Sequence, residues 1–141
     1  MNLAVSMRIT KEVNYHEIRD SISHDLVNNL INQKLVPILI PNSDLDPRNY
    51  FKKIPIHGLI LSGGDDLIFE ESLSQEKENK YKRDKVERNL LNFALSKNIP
   101  IIGICRGMQL INIHFGGRLT LVSKTNHINT NHEVITALET K

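Results

Sequence analysis

The sequence predicts an α/β domain built on a parallel sheet, and three observations carry that prediction. Short apolar runs alternate along the chain with longer stretches whose apolar residues recur at helical spacing. The runs close on turn-forming pairs, Pro41-Asn42 after one and Gly63-Gly64 after another. A third run passes through Gly103 into Cys105 and on to Gly107, the pattern of a strand that turns sharply into a helix.

Residues 3–6 (LAVS) read as the first strand. Residues 15–33 carry Ile18, Ile22, Leu26, Leu30 and Ile31 at helical spacing and are expected to form the first helix. VPILI at 36–40 reads as a buried strand, and 43–53 as a loop or short helix. HGLILS at 57–62 forms the next strand. The charged stretch 70–85 is weakly periodic, so its first half is expected to be a surface excursion. Its second half leads into a helix over 83–97, where Val86, Leu90, Leu91, Ala94 and Leu95 supply an apolar stripe. Residues 100–104 read as a short central strand, and 109–115 as a helix stopped by Gly116-Gly117. The remainder, 119–141, is expected to be loop plus a strand near 133–136. With no repeat and no low-complexity linker, 1–141 is read as a single domain.

A chain of 141 residues is long enough to bury a core, and 40% hydrophobic with 24% charged residues is ordinary for a globular domain. A net charge of +2 gives no field that would recruit nucleic acid or a membrane surface. Aromatic residues make up 5% with no Trp, which argues against a base-stacking platform. No run approaches the roughly 18 apolar residues of a membrane helix, and the N-terminus lacks a secretory pattern. A cytoplasmic protein is therefore expected. One cysteine excludes an intramolecular disulfide and a cysteine-rich metal site within this sequence. The histidines lack HExxH or comparable spacing, and no P-loop or dinucleotide-binding pattern is present, so no metal or cofactor is expected.

The informative segment is Gly103-Ile104-Cys105-Arg106-Gly107, a nucleophile elbow written with cysteine. A strand turning abruptly into a helix crowds the residues beside the nucleophile, and glycines two positions away on either side relieve that crowding. The sulfur then stands at a helix N-terminus, where the macrodipole stabilises negative charge. Ser62-Gly63-Gly64-Asp65-Asp66 also follows a strand, so the amides of Gly63 and Gly64, with that of Arg106, are candidates for an oxyanion hole.

In order, Leu61-Ser62-Gly63-Gly64-Asp65-Asp66, Arg83-Asp84 with Glu87, the run from Ile99 through Cys105 and Gln109 to Asn112, and Gly116-Gly117 resemble one family. This family is the class I glutamine amidotransferase-like γ-glutamyl hydrolases (peptidase C26-like), and the likeness runs from about Val5 to about Val134. Residues 14–20 also resemble a segment of members associated with capsule biosynthesis. The resemblance implies a flavodoxin-like, three-layer parallel sheet with helices on both faces, incomplete at its C-terminus. It implies that Cys105 attacks the γ-carbonyl of a glutamyl amide and that Gly64 and Arg106 donate to the oxyanion. Gln109 would hold the glutamyl backbone end, and a thioester would then be hydrolysed. Tyr15, Glu17 and Arg19 are candidates for the leaving-group side, against the alternative of a solvated surface.

The family activates its cysteine with a His-x-Glu pair, and this sequence contains none. His132, beside Glu133, is the nearest substitute; His16, His24, His57 and His114 read as surface or packing residues, and His127 pairs only weakly with His132 as a ligand set. Three functional readings stay open: a γ-glutamyl amide hydrolase, a glutaminase subunit supplying ammonia to a partner synthetase, or a non-catalytic binding domain. An incomplete parallel sheet leaves an open edge, so poor solubility or dimerisation is expected, or a partner chain that supplies the rest.

Overall fold

The computed structural model describes residues 1–12, 14–15, 17–44, 46–64, 67 and 75–120. In chain order the elements are β1 (Asn2–Ser6), β2 (Arg8–Lys11), β3 (Ile18–Ser21), α1 (His24–Asn32), β4 (Val36–Ile40), α2 (Pro47–Tyr50), β5 (Gly58–Leu61), α3 (Gln75–Ser96), β6 (Ile101–Gly103) and α4 (Arg106–His114). Four of the strands form one parallel sheet in the order β4-β1-β5-β6. Among those four, the second in sequence lies outside the first, and the third and fourth follow on its other side. This is the flavodoxin-like order, whose switch point falls between β1 and β5.

The period of two along the strands sorts the core into two layers. From β1 and β5, Ala4, Leu59 and Leu61 face one side and pack with Val86, Leu90, Leu91 and Ala94 of α3 and Leu110 of α4. Leu3, Val5 and Ile60 face the other side and pack with Leu26 and Leu30 of α1. Helices therefore cover both faces, and the fold is the α/β class that the sequence predicts. No described helix is long and apolar enough to cross a membrane.

Several expectations are corrected. The helix read over 15–33 begins only at His24, because residues 18–21 pair antiparallel with β2 in a hairpin, from Arg8↔Ser21 to Lys11↔Ile18. Ile18 is on that hairpin and 49% exposed, so its spacing from Ile22 is not a helical stripe. The strand at 36–40 is present but, among the described residues, lies at the sheet edge, with Val36 and Leu39 exposed. That position tolerates Pro37, which has no N–H for a second neighbour. The helix read from 83 starts at Gln75, and the one read from 109 starts at Arg106. Leu95, read as part of the α3 stripe, is 37% exposed. The strand expected to be central, β6, pairs with β5 alone among the described residues. The strand expected near 133–136 lies outside the described residues.

Candidate active site

Cys105 joins β6 to α4 with φ 48° and ψ −105°. Residues with a Cβ avoid that conformation, which costs on the order of 1–3 kcal/mol and persists only where the surroundings over-determine it. They do so here. The Ile104 N–H donates to the Leu61 carbonyl at 2.9 Å, continuing the β5–β6 pairing past the strand end. The Gly107 N–H donates to the Ile104 carbonyl at 2.9 Å and the Gln109 N–H to the Cys105 carbonyl at 3.1 Å, which opens α4. A Cβ on Gly103 would lie 2.5 Å from the Met108 nitrogen, and one on Gly107 would lie 2.1 Å from the Leu61 oxygen. The backbone thus takes the sharp turn that Gly-x-Cys-x-Gly predicts, and it leaves Cys105 exposed at the C-terminal edge of the sheet.

The loop after β5 reaches the same place. A Cβ on Gly63 would lie 3.6 Å from Cys105 Cβ and 4.0 Å from its Sγ. Gly64 follows at φ +135°, with Arg8 of the hairpin base on its flank. The structure therefore brings Gly63 to Cys105, with Gly64 next in the chain and set against Arg83 and Arg8. Gln109 stands one helical turn along α4, half-buried. Asp65 and Asp66 lie outside the described residues.

Beneath this surface is a charged cluster to which sequence reasoning assigned no role. Arg83, Asp84 and Glu87 of α3 are buried with Arg106, and with Ser6 and Ser62 at the ends of β1 and β5. The Arg106 guanidinium donates to Glu87 Oε2 and to Asp84 Oδ1. Arg83 Nε donates to Glu87 Oε1 at 3.0 Å, while its Nη2 donates to the carbonyls of Ser62 and Gly63 at 2.9 and 3.0 Å. The Ser62 N–H donates to Ser6 Oγ, whose hydroxyl donates to Glu87 Oε1 at 2.7 Å. Burial pushes the Glu87 carboxyl above its usual range, outweighing the opposing pull of Arg83 and the Ser6 hydrogen bond. A signal for this cluster was present in the sequence. Positions 83 and 87 continue the spacing of Leu90, Leu91 and Ala94, so two charged residues sit on the core-facing stripe of a helix.

The other candidates lie apart. Arg19 donates to Glu12, Glu17 and the Tyr15 hydroxyl in an exposed cluster near the hairpin tip, several residues from the Arg8 base. His24 and His57 are exposed. The Asn2 N–H donates to His57 Nδ1 at 3.0 Å, at the opposite end of the sheet from Cys105, and His114 packs against Phe115. No described histidine hydrogen-bonds to Cys105, and His16, His127 and His132 lie outside the described residues. An open groove of about 590 Å³ between α2 and α3, lined by residues including Asp44, Arg48 and Asn89, includes none of the elbow residues. Among the described residues no group of three His, Cys, Asp or Glu side chains is placed to hold a metal.

Comparison with known proteins reaches the same region of protein space. A Campylobacter jejuni protein named gamma-glutamyl-CDP-amidate hydrolase is 32% identical over 142 residues, covering 99% of this chain and 66% of that protein. A putative glutamine amidotransferase-like protein of Rickettsia prowazekii is 39% identical over 89 residues, covering 60% of this chain and 31% of its own length. A glutamine-hydrolyzing GMP synthase subunit from Methanocaldococcus jannaschii is 32% identical over 89 residues, or 63% of this chain and 36% of its own. The chain thus spans less than two thirds of some relatives and close to two thirds of another. The peptidase C26 family profile matches residues 3–140. With nearly its whole length matched and its strands in the flavodoxin-like order, this chain belongs to the peptidase C26 family of glutamine amidotransferase-like proteins.

Proposed function

We propose that this chain carries the nucleophile and oxyanion hole of a hydrolase that cleaves γ-glutamyl amides. The single observation behind this reading is the backbone of Cys105, strained at φ 48° and locked between two glycines that nothing larger can replace. In this reading the Cys105 thiolate adds to the γ-carbonyl carbon, and the carbonyl oxygen takes the negative charge. The amides of Gly64 and Arg106 receive that charge at the N-terminus of α4, with Gly63 packed beside the sulfur. The C–N bond breaks, the amine leaves with a proton, and water hydrolyses the γ-glutamyl thioester to glutamate and free thiol. Gln109, half-buried one turn along α4, is assigned to hold the backbone end of the glutamyl group. The name of the Campylobacter relative supports an amide substrate of this kind. The resemblance to a GMP synthase subunit favours a second reading, in which glutamine is the substrate and the ammonia passes to a partner synthetase.

A glutamine-like chloroketone tests both readings against a free thiol. Mass spectrometry should find a single adduct on Cys105, formed faster than by iodoacetamide relative to a small thiol, and blocked by glutamate or a γ-glutamyl amide. Protection by glutamine alone would favour the synthetase-linked reading. Labelling no faster than that of a free thiol would sink both and leave a binding domain.

A further inference from the structure

We propose that Arg83, Asp84 and Glu87, on one face of α3, are positioning residues that aim the two oxyanion-binding amides at the substrate. The proposal rests on Cys105 being the nucleophile, as above. Of the seven buried polar or charged residues among those described, six gather in this cluster at the ends of β1 and β5, Asn42 being the seventh. Stability alone gives no reason for such a gathering. Each buried ion costs several kcal/mol of desolvation, and apolar residues of similar volume often serve the fold as well. What the cluster provides is direction.

Its first arm is Arg83, 2% exposed. One nitrogen, Nη2, collects the carbonyls of Ser62 and Gly63 together with the Ser62 hydroxyl at 3.1 Å. A trans peptide holds its C=O and N–H antiparallel. Tying the Gly63 carbonyl to Arg83 therefore turns the Gly64 N–H to the opposite side of that peptide, away from the cluster. The fit leaves no slack, because a Cβ on Gly64 would lie 2.6 Å from Arg83 Nη1. Among the described residues that buried Nη1 has no hydrogen-bond partner, a cost accepted by a residue held for its position. The second arm is Asp84 with Glu87, which grip the Arg106 side chain. Arg106 is the first residue of α4, and its backbone N–H, proposed above as an oxyanion donor, opens that helix beside Cys105. Fixing the side chain fixes the first turn, and with it the direction of that N–H. Glu87 joins the arms by accepting from both arginines, and Ser6 ties it to the end of β1.

Two electrophiles separate this role from a structural one. As the sulfur adds to the chloroketone carbonyl, the oxygen gains negative charge and needs the oxyanion hole, before the sulfur displaces chloride to leave a thioether. Iodoacetamide loses iodide directly and needs no such hole. Arg83→Gln is expected to lower the limiting chloroketone labelling rate about 10- to 100-fold, somewhat less than removal of an oxyanion donor itself. Its half-saturating concentration and its iodoacetamide rate should stay within about twofold of the parent chain. Arg83→Lys should recover part of the loss, since an ammonium reaches a carbonyl but lacks the fork. Asp84→Asn, nearly isosteric, should lower the same rate through the Arg106 arm and stands in if Arg83→Gln does not fold. Equal loss with both electrophiles, or no loss with either, overturns the proposal. A parent chain that the chloroketone labels no faster than a free thiol overturns the nucleophile reading itself, and this one with it.

Discussion

Glu87 lies between two guanidinium groups, yet burial prevails over them and raises its carboxyl above the ordinary value of 4.5. A carboxyl raised in the folded state holds its proton more tightly there than in the unfolded chain. Its contribution to stability is therefore full below pH 4.5 and is lost as pH climbs through the raised value. Glu87→Gln removes that titration. The stability of the parent chain relative to Glu87→Gln should accordingly fall as pH rises from 4.5, read as the difference in urea midpoints across a pH series. A difference independent of pH would show that Glu87 titrates alike in both states. At this scale the sequence was half legible. Cys105 declared itself through its glycines, because their spacing encodes a steric demand that few other structures make. Arg83 and Glu87 stayed silent as individual residues, since a charged side chain on a helix is ordinarily solvated. Only their register with Leu90 and Ala94 marks them as inward-facing.

The three long helices end in the same way. After α1, α3 and α4 the backbone turns left-handed at Lys34 (φ 58°), Asn98 (φ 52°) and Gly116 (φ 82°). In each, that residue and the next donate back into the last turn, as when Leu35 donates to the Leu30 carbonyl at 3.0 Å and Gly117 to Asn112 at 2.8 Å. Glycine adopts this conformation freely and Asn tolerates it, but Lys pays a steric penalty of about 1–2 kcal/mol. Lys34→Gly should therefore stabilise the chain by roughly 0.5–1 kcal/mol, net of glycine's greater freedom when unfolded, as measured by urea unfolding. An unchanged or lowered midpoint would mean that Lys34 makes a compensating contact. The glycine stop of α4 was legible in the sequence, while the β2–β3 hairpin was not. Its strands RITK and IRDS are short, charged and partly exposed, and Ile18-Ile22-Leu26-Leu30 mimics a helical ladder across the hairpin and helix. What holds β3 in place is distant in sequence: Asp20 accepts from the Asn42 N–H at 2.8 Å and from its side-chain amide. The early start of α3 was hidden for another reason. Its first turns, QEKENKYKR, form a helix from Glu- and Lys-rich sequence without an apolar stripe to announce it.

For the molecule as a whole, the parallel sheet followed from the alternation of strands with helices, but the order of its strands, and so which lie outermost, did not. Among the described residues the outer edge of β6 is unpaired, and Ile102 there is 60% exposed. A bare parallel edge is a template for another strand, and a charge placed on it discourages pairing. This chain should therefore associate in solution, and Ile102→Lys should shift it toward monomer, as read by light scattering in the presence of reductant. A parent chain that is monodisperse and monomeric would remove the case for an adhesive edge.

The exposed sulfur of Cys105 is also solitary, since the sequence holds no second cysteine. If peroxide converts it to a sulfenic acid, no neighbouring thiol in the chain is there to capture that state as an internal disulfide. Unless it closes on a backbone nitrogen, it must meet a thiol from another molecule before a second oxidation carries it to the sulfinic acid, which ordinary thiols do not reverse. The exposure of that sulfur thus ties its reduced state to the supply of small thiols around it.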